Sequence, residues 1–284
     1  MKVEPITIVI SAHNRIHTII DQIWSLREHA VCKEHEILLI GDRTHRAPTS
    51  CFLGCRECQY RTVEKWVEAS REYLRDVNAQ YYLCPDTADW SLDYNRYYGQ
   101  SRSLYMGTRL AKNKFVLWSS DDFFYSRNWD MHLFEIIDER EKNSNIYMPW
   151  LADVSKINGC DSTWHSRGKT ISITKEVPYL GDNECYYIFF ESNFVDINKL
   201  EQIFKDHNVI SGETVKEIGG VRKKMHWFPP MFDKSLILSR MPYPNCDIRG
   251  WDVFFDNKNG ELGTYKIATK KAFMFQFQNI RPKL

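Results

Sequence analysis

Two adjacent carboxylates, Asp121 and Asp122, close the run Phe115-Val116-Leu117-Trp118-Ser119-Ser120. Like charges set together at the end of an apolar stretch repel unless protons or a cation neutralise them. A hard divalent cation such as Mg2+ or Mn2+ is the simplest remedy, because it takes one or two carboxylates and fills its other positions with substrate phosphates and water. The competing reading is local, with Asp122 capping the helix that follows and Asp121 solvated. A second chemical group is Cys51, Cys55 and Cys58, thiols at C-x3-C-x2-C spacing. They could clip a structural zinc ion with a fourth ligand from Cys84, His45 or Cys32. The plain alternative is reduced thiols, which suits a chain with eight cysteines and no export signal. His226 stands in an aromatic stretch, and the short basic run Arg222, Lys223 and Lys224 could meet a diphosphate or an anionic acceptor. Packing in an aromatic stretch and a solvated basic face are the ordinary readings of those residues.

These groups need elements to hold them. Ile6-Thr7-Ile8-Val9-Ile10-Ser11 is a β-branched run that stops at Ala12-His13-Asn14, which predicts a buried strand ending in a loop. Ile16, Ile19, Ile20, Ile23 and Leu26 recur at helical spacing and give one apolar face. Glu36 to Gly41 is a second apolar run, closing on Asp42. Strand, helix and strand in that order predict a βαβ unit and a parallel sheet. The alternation continues with a helix from about Thr62 to Leu74, a strand at Gln80 to Cys84 and a helix through Ser101 to Ala111. The strand Phe115 to Trp118 and a helix from Trp129 to about Arg140 complete the series. Open α/β sheets of this kind put their ligands outside the carboxyl ends of the strands.

Beyond about residue 145 the alternation loosens. Strand-like pieces at Ile146 to Met148, Thr170 to Ile173 and Tyr186 to Phe190 mix with a helix near Asn198 to Lys205 and Pro-rich turns at Pro229-Pro230 and Pro242 to Pro244. The expected organisation is an α/β half over residues 1–144 and a second half over residues 145–284, packed closely on it and supplying the other wall of a cleft.

The stretch from Gly99 to Asp122, with its helix, turn and strand leading to an acidic pair, resembles the family-2 GT-A glycosyltransferases. Ile6 to Arg15 is similar to that family's opening strand and loop, and Glu36 to Thr44 to its second strand. The resemblance implies a GT-A fold, a Rossmann-like, mostly parallel sheet with helices on both faces plus a smaller acceptor-side region. It implies a nucleotide-sugar donor, a glycan or other hydroxyl acceptor, and Mn2+ or Mg2+ on Asp121 and Asp122. Ala12, His13 and Asn14 would then lie near the base, Asp42 on the base or ribose, and Asp121 at the ribose and diphosphate. Gly41 replaces one Asp of the family's second-strand pair, and Leu104 stands at the family's helix Arg, with Arg102 a candidate substitute. An inverting enzyme of this type needs a carboxylate to deprotonate the acceptor. Asp252, in Gly250-Trp251-Asp252-Val253, resembles the family's late acidic element and is the first candidate, with Glu191 the second.

Two other function classes compete. The cysteine trio has the spacing that binds an iron–sulfur cluster in radical S-adenosylmethionine enzymes, although Glu57 stands where those usually carry an aromatic residue. A non-catalytic sugar- or nucleotide-binding module would keep the fold without the base. Lys and Arg number 38 against 37 for Asp and Glu, so the chain exerts no long-range pull on nucleic acid. Nor does any run approach the roughly 18 apolar residues that would cross a membrane. A cytoplasmic protein is the expectation.

Overall fold

In the computed structural model, residues 2–12, 16–41, 67–68, 70–84, 96–121, 123–137, 146–151, 197–206, 214–218, 229–239 and 265–276 are described. The β-branched opening run forms strand β1, Thr7–Ala12, and every residue of it is buried. Helix α1, Ile16–Glu28, returns along the sheet to β2, Glu36–Gly41, which is again wholly buried. Helix α2, Arg71–Asp76, leads to β3, Ala79–Leu83, and helix α3, Arg96–Leu110, leads to β4, Phe115–Ser120. These four strands pair in parallel in the order β3-β2-β1-β4.

Alternation along each strand sorts the core onto two faces. Ile8, Ile10, Ile37, Leu39 and Leu117 pack with Ile19, Ile23 and Leu26 of α1. Val9, Leu38, Ile40, Val116 and Trp118 pack on the other face with Leu104 and Tyr105 of α3. Helices therefore cover both faces, as a parallel sheet requires. Gly107 is what lets α3 lie so close, since a Cβ there would run into the side chain of Val9 on β1. Trp118 fixes the height of α3 on the sheet by donating its indole N–H to Thr108 Oγ1 at 2.7 Å.

The sheet continues with later strands. After the short β5, Phe123–Tyr125, and helix α4, Trp129–Glu135, come β6, Ile146–Leu151, helix α5, Ile197–Asp206, and β7, Thr214–Ile218. Next are β8, Met231–Asp233, helix α6, Lys234–Leu238, and the long β9, Tyr265–Gln276. Among the described residues the sheet has nine strands, ordered β3-β2-β1-β4-β8-β6-β9-β5, with β7 on β9. Strand β8 joins β4 antiparallel and β9 joins β5 antiparallel, so residues from both halves of the chain share one sheet.

Several boundaries differ from the sequence expectation. The helix expected to reach Arg140 ends at Glu135, because the amides of Ile136 and Ile137 turn back to the carbonyls of Leu133 and Phe134 in tighter bonds of 3.3 Å. Strands β5, β7, β8 and β9 and helix α6 were not expected at all. The expected pieces at Thr170 to Ile173 and Tyr186 to Phe190 lie outside the described residues, as does the start of the helix expected from Thr62. No helix among the described residues is long and apolar enough to cross a membrane.

At the amino edge of the sheet, buried polar groups tie the elements together. Glu36 Oε2 accepts from Thr7 Oγ1 at 2.7 Å and from the Lys112 amide at 3.0 Å. Its Oε1 lies 3.2 Å from Lys112 Nζ. Nearby, the Ile6 amide donates to His35 Nδ1 at 3.1 Å, so the ring proton resides on Nε2, which donates to Asp130 Oδ2 at 3.1 Å. Asp130 also accepts from the amides of Val31, Cys32 and Met131 at 2.8–2.9 Å. Burial pushes its carboxyl up, but the His35 hydrogen bond and the Cys32 and Val31 amides outweigh burial and hold Asp130 below its ordinary value.

Candidate functional site

The carboxyl ends of the parallel strands meet along one edge. Ala12 pairs with Gly41, Gly41 with Leu83, and Ser11 with Ser120, so the ends of β1, β2, β3 and β4 are level. Asp121 follows directly on β4 and is only 3% exposed. Ala12, which ends β1, is 1% exposed, and lies one residue past the Ser11–Ser120 pair just as Asp121 does.

Helix geometry brings α3 to the same edge. Thr108 stands beside Trp118, and Arg102 lies six residues earlier on α3, about 9 Å toward the helix start. Asp121 lies three residues past Trp118, about 10 Å along the strand direction, so Arg102 and Asp121 share a level. Arg102 is half-buried there. Gly41 has a structural cause of its own: a Cβ would collide with the hydroxyl and ring of Tyr81 on β3, so an Asp at 41 requires Tyr81 to swing aside.

The turn that carries Asp121 is braced from beneath by residues that sequence reasoning passed over. Gln22, on the sheet-facing side of α1 and 0% exposed, donates from Nε2 to Ser119 Oγ and to the Ser120 carbonyl, each at 2.7 Å. Ser119 Oγ in turn shares a 2.8 Å hydrogen bond with the Tyr125 hydroxyl. Ser119 precedes the acidic pair and Tyr125 follows it, so this bond closes across the turn. The Tyr125 amide donates to Ser25 Oγ at 3.2 Å, and its carbonyl accepts from His29 Nδ1 at 2.6 Å, so both ends of the turn are pinned to α1 and its exit. Burial lowers the His29 ring below its ordinary value, partly offset by that carbonyl. The signal for Gln22 was present in the sequence as a polar residue on the Ile19, Ile23 and Leu26 stripe.

Of the residues expected at the site, Ala12, Arg102 and Asp121 are brought to one edge. His13, Asn14, Asp42 and Asp122 flank described residues of that edge in sequence and lie outside the described residues, as do Asp252, Glu191, His226, Cys51, Cys55 and Cys58. Two of the fourth ligands considered for a zinc site are separated by the sheet, since Cys32 sits at the amino edge beside Asp130 and Cys84 follows β3 at the carboxyl edge. They cannot serve one site together. Among the described residues no three His, Cys, Asp or Glu side chains gather as a metal cage.

A parallel β3-β2-β1-β4 core, two helical layers and a buried carboxylate at the carboxyl edge define an α/β fold of the GT-A type. Solved structures that share it include those of S. aureus TarS. TarS 1-349 matches with a TM-score of 0.53 at 12% identity, over 95% of this chain and 60% of that one. A second TarS structure matches with a TM-score of 0.50 at 14% identity, over 96% of this chain and 36% of that one. A third, TarS 1-349 in complex with UDP-GlcNAc, has a TM-score of 0.49 at 12% identity, over 96% of this chain and 59% of that one. This chain thus spans about 60% of the length of TarS 1-349. No protein-family model and no curated protein matches the sequence.

Proposed function

We propose that this chain is a metal-dependent glycosyltransferase that moves a sugar from a nucleoside-diphosphate sugar to a hydroxyl acceptor with inversion. The observation that carries the reading is the buried Asp121 at the carboxyl end of β4, level with the ends of β1 and β2, in a GT-A-type sheet. In this reading Ala12, His13 and Asn14 border the base, Asp42 meets the base or ribose, and Arg102 supplies positive charge to the diphosphate. Asp121 meets the ribose, and Asp121 and Asp122 hold Mn2+ or Mg2+. The cation would offset negative charge on the diphosphate as it leaves. Asp252, or Glu191 in its place, takes the acceptor's hydroxyl proton. The freed oxygen forms its bond to the anomeric carbon while the bond to the diphosphate breaks, its electron pair leaving on the diphosphate. A structural zinc on Cys51, Cys55 and Cys58 is a separate proposal for the segment after β2.

A thermal-shift screen of nucleotide sugars with and without Mn2+ tests the reading, because a specific ligand raises the melting temperature by mass action. UDP-GlcNAc, the ligand named for TarS, belongs in the panel. One donor should stabilise the protein with Mn2+ and lose that effect in chelator. With that donor, Asp252→Asn should keep donor binding and reduce transfer by a factor on the order of a hundred, the scale of a lost general base. Normal turnover in Asp252→Asn with loss in Glu191→Gln moves the base to Glu191. A protein stabilised by no nucleotide sugar contradicts the proposal.

A further inference from the structure

We propose that Gln22 is the positioning residue of the acidic turn, setting through α1 the orientation of the peptide group from which Asp121 projects. The inference rests on the proposed function and goes below it, to what holds the site in shape. Ser120 O, which accepts from Gln22 Nε2 at 2.7 Å, is the carbonyl of the Ser120–Asp121 peptide bond itself. Its plane fixes the direction of the Asp121 amide and the start of the Asp121 side chain. The second proton on Nε2 goes to Ser119 Oγ, also at 2.7 Å, and that hydroxyl reaches Tyr125 beyond the acidic pair. One amide therefore grips the strand end, and one hydroxyl relays that grip across the turn.

The cost of the arrangement argues that the grip matters. Gln22 is 0% exposed, and its Oε1 has no hydrogen-bond partner among the described residues. A buried orphan acceptor is unfavourable, and Leu or Met would fill the same space on the Ile19, Ile23 and Leu26 stripe without it. What Gln supplies and they cannot is the pair of donors on β4. Helix α1 also begins immediately after His13, Asn14 and Arg15 in sequence, so the element that grips the acidic turn follows directly on the residues assigned to the nucleotide base.

The test compares Gln22→Met with Ile23→Val, a neighbouring core substitution on the same helix, using UDP with Mn2+ as the probe. Gln22→Met is expected to weaken UDP about tenfold, the lower end of what loss of a supporting hydrogen bond behind a metal site costs. It should also displace the Asp121 amide resonance and speed its hydrogen exchange. Ile23→Val should lower the melting temperature while changing neither UDP affinity nor the Asp121 amide. Gln22→Glu keeps the shape, removes both N–H donors, and serves if the methionine variant does not fold. Wild-type UDP affinity and an unmoved Asp121 amide in Gln22→Met or Gln22→Glu, or an equal loss of UDP affinity in Ile23→Val, overturn the proposal alone. A wild-type chain that binds neither UDP nor any nucleotide sugar overturns it together with the donor reading.

Discussion

Asp121 and Asp130 are both buried acids, but each faces a different requirement. Asp130 is fully satisfied by three amides and the Nε2 proton of His35, which identifies it as a brace between α4 and the exit of α1. Removing it leaves those part-buried amides and the His35 N–H without their acceptor, so Asp130→Ala should cost about 3 kcal/mol of stability by chemical denaturation. The pH dependence follows from the sign of the shift. The Asp130 carboxyl titrates below its ordinary 3.8 in the folded protein, so its stabilisation is complete above 3.8 and is lost as pH falls through the folded value. The stability gap between wild type and Asp130→Ala should be constant near neutrality and narrow in strong acid. His29, held below its ordinary 6.5 by burial, acts in the same direction: its contribution is complete above 6.5 and declines as pH falls below it. A gap that widens toward low pH contradicts the assignment. Asp121 and Ala12 were legible as strand-end residues because they close apolar runs. The role of Gln22 was not legible, because a single polar residue on a helix stripe has many ordinary explanations until its partners are seen.

At the scale of elements, the parallel core was legible because buried parallel strands read as near-continuous apolar runs and their helices as single apolar faces. The later strands hide for identifiable reasons. Strand β9 breaks its alternation at Lys270-Lys271, where its pairing with β6 shifts register between Pro149 and Trp150 and residues 270–272 of β9 are passed over. Strands β5 and β8 span only three residues each, and β8 follows Pro229-Pro230, which reads as a turn. The contact of α3 with β1 yields an element-level prediction. Gly107→Ala gains helix propensity of about 1 kcal/mol, yet its Cβ must displace Val9. Overpacking costs about 1–3 kcal/mol, so the variant should melt lower than wild type. Combining it with Val9→Ala, which opens the space, should make the two effects non-additive. A higher melting temperature in Gly107→Ala, with no coupling to Val9→Ala, would show that α3 does not rest on β1 as described.

At the scale of the molecule, one sheet runs through residues from both halves, with β8 on the first half of β4 and β9 on β5 just past the acidic turn. Strand β5 begins two residues after Asp121, so the turn is bounded by a parallel pair on one side and an antiparallel pair on the other. The likeness to TarS reaches 95% of this chain at 12% identity, which explains why the fold is recognisable while individual roles must be argued from position and chemistry. The central claim is that a nucleotide binds at the carboxyl edge through a cation on the acidic pair, and isothermal calorimetry of UDP tests it most directly. Wild type should bind UDP in Mn2+ and at least tenfold more weakly in excess chelator, while Asp121→Asn and Asp122→Ala, in Mn2+, should bind as wild type does in chelator. Equal UDP affinity in all four titrations would contradict the account.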